Sequence, residues 1–96
     1  VSDPPLDLAS RFRQAPRVAA RALGEETVLL DLDSGRYFDL DATGSRIWTL
    51  LAPGAALTSV LDALEAEYDA PRERLAADLV EIVATLERQG LVARLT

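Results

Sequence analysis

The amino-acid sequence predicts an α+β domain, a three-stranded antiparallel sheet followed by three helices in the manner of a winged helix-turn-helix. Two periodicities and the chain length carry this expectation. Between residues 17 and 40 apolar residues recur at alternate positions in short runs separated by glycine-bearing turns. Between residues 43 and 90 they recur at helical spacing, interrupted by proline and glycine. The chain has 96 residues, of which 49% are hydrophobic, enough for one domain with a modest core.

The elements follow in order. Residues 1–16 hold Pro4, Pro5 and Pro16 among scattered charges and show no sustained period. They are expected to form a flexible N-terminal arm, with one helical turn near Leu8 to Arg13, ahead of a domain spanning residues 17–96. Val18, Ala20 and Ala22 alternate in a weak first strand, and Gly24 to Glu26 turn the chain. Thr27 to Leu32 makes a second strand, with Val28, Leu30 and Leu32 on one face. Asp33-Ser34-Gly35 is a turn, because glycine accepts positive φ without steric cost. Arg36 to Leu40 closes a hairpin; Phe38 and Leu40 are expected toward the core, Tyr37 and Asp39 away from it.

Asp41 or Thr43 is suited to cap the first helix, whose apolar face is Ile47, Trp48, Leu50 and Leu51. Pro53-Gly54 ends it. Thr58 is expected to cap a second helix carrying Val60, Leu61, Leu64 and Tyr68. Pro71 suits the first turn of a third helix, where its missing donor costs nothing. Leu75, Leu79, Ile82, Val83 and Leu86 form the apolar stripe of that helix. Gly90 is a C-terminal cap, and Leu91 to Leu95 a short extended tail that packs back.

Composition excludes several chemistries. There is no cysteine and no histidine, so no thiolate or imidazole is available as nucleophile, general base or metal ligand. Asp31, Asp33, Asp39 and Asp41 are scattered by strand alternation and lack the spacing of a calcium loop, so no metal and no cofactor is expected. The net charge is −6, and an acidic surface repels phosphate backbones, so nucleic acid is not an expected partner. No apolar run approaches a membrane span and no signal-peptide pattern is present; a cytoplasmic, non-membrane protein without enzymatic activity is expected.

One continuous stretch is more specific. Leu30-Asp31-Leu32-Asp33-Ser34-Gly35-Arg36-Tyr37-Phe38-Asp39-Leu40-Asp41 joins an apolar strand, a glycine turn and an aromatic strand ending in Leu-Asp. A small-residue turn and the Ile47-Trp48 pair follow, and Ala76 to Val83 with Leu86, Gly90 and Leu91 comes later. In this order and spacing the chain, over about residues 17–95, resembles the PqqD-like family of precursor-recognition elements. Asp41 departs from the family's more usual asparagine, and both residues cap helices.

The resemblance is nearest the discrete recognition protein of lasso-peptide pathways. It implies binding of a precursor leader peptide by strand addition and delivery to a separate leader peptidase, a cysteine protease, or another maturation enzyme. The leader would lie along Arg36, Tyr37, Phe38, Asp39 and Leu40, and against Arg74, Leu75, Asp78, Ile82 and Thr85 of the third helix. Asp78 is then placed for a basic or amide group of the leader and Arg74 for an acidic one. Periodicity alone does not say which flank of the helix faces the strand.

Two alternatives stay open at this point. A PqqD-type peptide chaperone for a radical enzyme in quinone-cofactor biosynthesis would use the same surface. A winged-helix DNA-binding regulator would need a basic third helix. Arg72, Arg74 and Arg88 are outweighed there by Glu73, Asp78, Glu81 and Glu87.

Overall fold

The computed structural model describes residues 7–95. Its elements are β1 (Phe12–Gln14), β2 (Val18–Leu23), β3 (Glu26–Asp31), β4 (Tyr37–Leu40), α1 (Ala42–Leu51), α2 (Leu57–Glu67), α3 (Arg72–Arg88) and β5 (Val92–Arg94). Strands β2, β3 and β4 form an antiparallel sheet in that order and the three helices follow, which is the predicted α+β architecture. A second, two-stranded sheet joins β1 to β5.

That second sheet corrects the reading of the N-terminal region as a loose arm with a helical turn. From residue 7 onward the segment is fastened. Phe12 is fully buried, and Arg11 pairs with Ala56 in an isolated bridge. The Leu57 N–H donates to the Ser10 carbonyl at 3.0 Å and the Thr58 N–H to the Leu8 carbonyl at 2.8 Å. Three residues are too short for alternation to be recognised, and their partner lies at the other end of the chain. Residues 1–6, including Pro4 and Pro5, lie outside the described residues.

Local chemistry explains most element boundaries. The Asp41 carboxylate accepts the Gly44 N–H at 2.8 Å and caps α1 as expected. Thr58 does not cap α2: Ala56 occupies the N-cap, and the Thr58 hydroxyl instead donates to the Leu8 carbonyl at 2.7 Å. Pro71 stands one position earlier than expected, at the N-cap of α3, where its carbonyl accepts the amides of Arg74 and Leu75. Gly90 has φ +74° and ends α3. Its N–H donates to Glu87 and that of Leu91 to Leu86, the paired bonds of a Schellman turn, with Leu86 and Leu91 both buried beneath.

The core gathers Leu29, Phe12, Ile47, Trp48, Leu51, Leu57, Val60, Leu61, Leu64, Leu79, Val83, Leu86, Leu91 and Val92. The sheet turns Thr27, Leu29 and Asp31 toward this side. Val28, Leu30 and Leu32 therefore lie on the opposite face, which no helix covers among the described residues. Phe38 and Leu40 pack against the core while Tyr37 and Asp39 point away, as alternation predicted.

Candidate functional site

Strand β4 is an outer strand of its sheet. The Asp31 N–H donates to the Arg36 carbonyl at 2.9 Å, and this bond fixes the parity of the ladder. Hydrogen-bonded pairs alternate in an antiparallel ladder. With Leu29 opposite Phe38 and Thr27 opposite Leu40, the backbones of Phe38 and Leu40 face β3. Those of Tyr37 and Asp39 face outward, and no strand of the described residues pairs with them. Unpaired strand edges of this kind accept a further strand.

The first turns of α1 and the middle of α3 border this edge. One hollow of about 310 Å³ is floored by Leu40, Ile82 and Leu86 and rimmed by Asp39, Asp41, Glu81 and Thr85. A neighbouring hollow of about 270 Å³ is lined by Asp41, Thr43, Asp78, Glu81 and Ile82. Sharing Asp41, Glu81 and Ile82, the two form one groove with an apolar floor and an acidic rim. The groove needs a small residue where α1 begins. A Cβ at Gly44 would stand 3.3 Å from Asp41 Oδ1 and 3.4 Å from Leu40 Cβ.

Asp39, Leu40, Asp78, Ile82 and Thr85, named from sequence, thus line one groove. Tyr37 and Phe38 begin the strand, and the Arg36 guanidinium lies 5.2 Å from the Phe38 ring centre. Leu75 lies in the core, 6% exposed. Arg74 is exposed one turn before Asp78 and lines neither hollow. Sequence reasoning passed over Asp41 and Thr43 as groove residues, and Gly44, Glu81 and Leu86 as well. Glu81 was within reach: three residues after Asp78 and four before Thr85, it shares their helix flank.

The turn before β4 is held by charge. The Asp31 carboxylate accepts the Asp33 N–H at 3.0 Å and the Arg17 Nε–H at 3.2 Å. Burial alone would raise its pKa, but the amides of Asp33 and Ser34 and the Arg17 charge outweigh it and hold the group below its ordinary value. Away from the groove, Arg46 on α1 donates twice to Glu67 at the end of α2, at 2.7 and 2.6 Å. That bidentate bond, set against a smaller opposing effect of burial, lowers the Glu67 pKa.

The uncovered sheet face is mainly apolar. Ala19, Ala20, Leu23, Val28, Leu30 and Tyr37, with Arg21 as the one charged residue, line a shallow hollow of about 420 Å³ there. Tyr37 is 71% exposed, Leu32 61% and Leu23 54%. Among the described residues no group of three or more acidic side chains is placed to hold a metal ion, and no helix is long and apolar enough to cross a membrane.

Known proteins resemble this chain in sequence and fold. The family model for coenzyme PQQ synthesis protein D (PqqD) matches residues 26–92. A solved structure of TbiB1 in complex with the TbiA(beta) leader peptide is 38% identical with a TM-score of 0.79, covering 83% of this chain and 93% of that one. A lasso peptide synthetase B1 complexed with the leader peptide is 29% identical with a TM-score of 0.78, covering 85% of this chain and 96% of that one. No curated protein matches significantly. With the family match running from β3 into β5 and the fold shared almost end to end with two leader-peptide complexes, this chain belongs to the PqqD-like family of precursor-peptide recognition elements.

Proposed function

We propose that this protein holds the leader of a ribosomally made, lasso-type precursor by strand addition to β4 and presents it to a separate leader peptidase or other maturation enzyme. The observation that carries the reading is the outward backbone of Tyr37 and Asp39 beside a groove floored by Leu40, Ile82 and Leu86. It occurs in a chain that shares its fold with a leader-binding protein and is 38% identical to it over 83% of its length.

The physics gives affinity and selectivity separately. Each outward residue offers one donor and one acceptor, and a paired strand satisfies them at roughly 0.5–1.5 kcal/mol net per bond. An apolar anchor buried on the groove floor adds about 1.5–3 kcal/mol. After the cost of ordering a flexible leader, binding in roughly the micromolar to nanomolar range follows. Side chains two residues apart on an added strand share a face. A leader with an apolar residue in the first hollow therefore places its next inward side chain over Asp41, Asp78 and Glu81. A lysine or arginine fits there, and Arg74 beyond Asp78 suits an acidic neighbour.

The exposed apolar face supports the delivery step. A leader added to β4 would widen this face by one strand, so Val28, Leu30, Tyr37 and the leader's outward side chains would form a continuous surface for the maturation enzyme. The protein's own role is then binding and presentation, not bond-making.

Fluorescence polarisation with the TbiA(beta) leader and with the leader encoded beside this gene tests the reading. Saturable binding that survives salt but is lost with a shuffled leader is expected. Absence of binding to both leaders, with retention on heparin, would overturn it in favour of a nucleic-acid partner. The family match also accommodates a quinone-cofactor precursor; preference for such a peptide over lasso leaders would move the protein to that branch.

A further inference from the structure

We infer that Arg17 is a positioning residue for the leader-binding groove, because its guanidinium ties the turn that launches β4 to the end of α3. The inference rests on the proposed use of that groove. Arg17 lies outside it, in the turn immediately before β2, and neither hollow includes it. Its Nε–H donates to Asp31 Oδ1 at 3.2 Å, and its Nη2–H donates to the Gly90 carbonyl at 2.8 Å.

Asp31 is the hub of the turn. Its side chain gathers the amides of Asp33 and Ser34, and its own N–H and carbonyl bond to Arg36 and Gly35. Gly90 closes the Schellman turn of α3. One planar cation thus spans three segments distant in sequence. It also supplies positive charge where the free carbonyls of α3 end.

The two walls of the groove, β4 and α3, run in opposite directions. Asp39, Leu40, Thr85 and Leu86 line only the first hollow, whereas Thr43 and Asp78 line only the second. The Arg36 end of β4 therefore lies toward the Gly90 end of α3, and Arg17 fixes the wall separation there. The packing is close: a Cβ added at Gly90 would stand 2.9 Å from Arg17 Nη2. Lysine cannot replace this fork, since an ammonium presents its three donors from one nitrogen, whereas the guanidinium reaches the carboxylate and the carbonyl from two separate nitrogens held in one plane.

The test compares Arg17→Ala and Arg17→Lys with Arg46→Ala as a matched control. Arg46 also makes a charge-assisted pair between elements, yet it sits away from the groove. Affinity for the TbiA(beta) leader should fall roughly tenfold in both Arg17 variants, the equivalent of one charge-assisted hydrogen bond lost from the walls. Arg46→Ala should lose a similar few degrees of melting temperature with unchanged affinity. A second readout needs no ligand. Amide exchange in residues 33–40 and 86–91 should quicken together in the Arg17 variants, while that of α2 does not. Arg17 variants that bind as Arg46→Ala does, or that exchange faster only on one wall, would overturn the inference. Failure of the unaltered protein to bind any leader would instead count against the proposed function, and the exchange result would still decide the role of Arg17.

Discussion

Proline at position 39 should abolish much of the leader affinity and leave the fold intact, whereas proline at position 38 should destabilise the fold itself. Both residues lie in a four-residue strand, and only the ladder parity distinguishes them. The Asp39 N–H points away from β3, and proline is tolerated in edge strands when the missing donor faces solvent. Asp39→Pro removes one donor to the leader and sets a ring in the path of the incoming backbone. One lost hydrogen bond is worth about 0.5–1.5 kcal/mol, and with the steric obstruction the loss should reach roughly 2 kcal/mol, near thirtyfold in dissociation constant. Asp39→Ala, which lacks the carboxylate but keeps the donor, should lose no more than about threefold, as expected of an exposed charge. The Phe38 N–H faces Leu29 inside the ladder, so Phe38→Pro breaks the sheet and costs about 3 kcal/mol or more of stability. Fluorescence polarisation and thermal melting measure the two quantities on the same samples. If Asp39→Pro binds the leader as well as Asp39→Ala does, the outward backbone of β4 is not the docking edge.

Further outcomes follow from the same geometry. Asp78→Asn should weaken a leader with a basic residue at the second hollow by roughly two- to fivefold at low salt, an effect that fades at high salt; polarisation across a salt series reads it. Phe12→Ala, at a position with no exposed surface, should cost about 3–5 kcal/mol in chemical denaturation, which a loosely held arm would not. Acid should destabilise the protein through Asp31 and Glu67. Both titrate lower when folded than their ordinary values of 3.8 and 4.5, so the unfolded chain binds more protons. Their contribution is complete above those ordinary values and is lost as pH falls through the folded ones. Asp31→Asn should flatten part of that decline in melting temperature.

How much of this was legible in the sequence depended on the range of the interaction. Asp41 as a cap, Gly90 as a stop and the inward Phe38 and Leu40 follow from residues within four positions of one another, and each stands where local chemistry put it. Thr58 shows the limit of such reasoning. It has the right side chain for an N-cap, but its hydroxyl serves Leu8, fifty residues away. Strand β1 escaped notice for the same reason, since its partner β5 lies at the opposite end of the chain.

The site divided along the same line. Alternation told which side chains of β4 face the core, but not which amides face the groove, because that parity is set by the Asp31–Arg36 bond across the turn. Helical spacing grouped Asp78 with Thr85, but only the packed position of α3 turned that flank toward β4 and drew Asp41 and Gly44 into the same wall. Leu75 belonged to the stripe by spacing and sits in the core by packing.

The most direct measurement is amide hydrogen exchange, read residue by residue in NMR spectra, before and after addition of the leader. The N–H groups of Tyr37 and Asp39, solvent-facing in the free protein, should become protected, while those of Phe38 and Leu40 should be slow in both states. Protection appearing instead along the outer edge of β2, with Tyr37 and Asp39 exchanging as freely as before, would contradict the account.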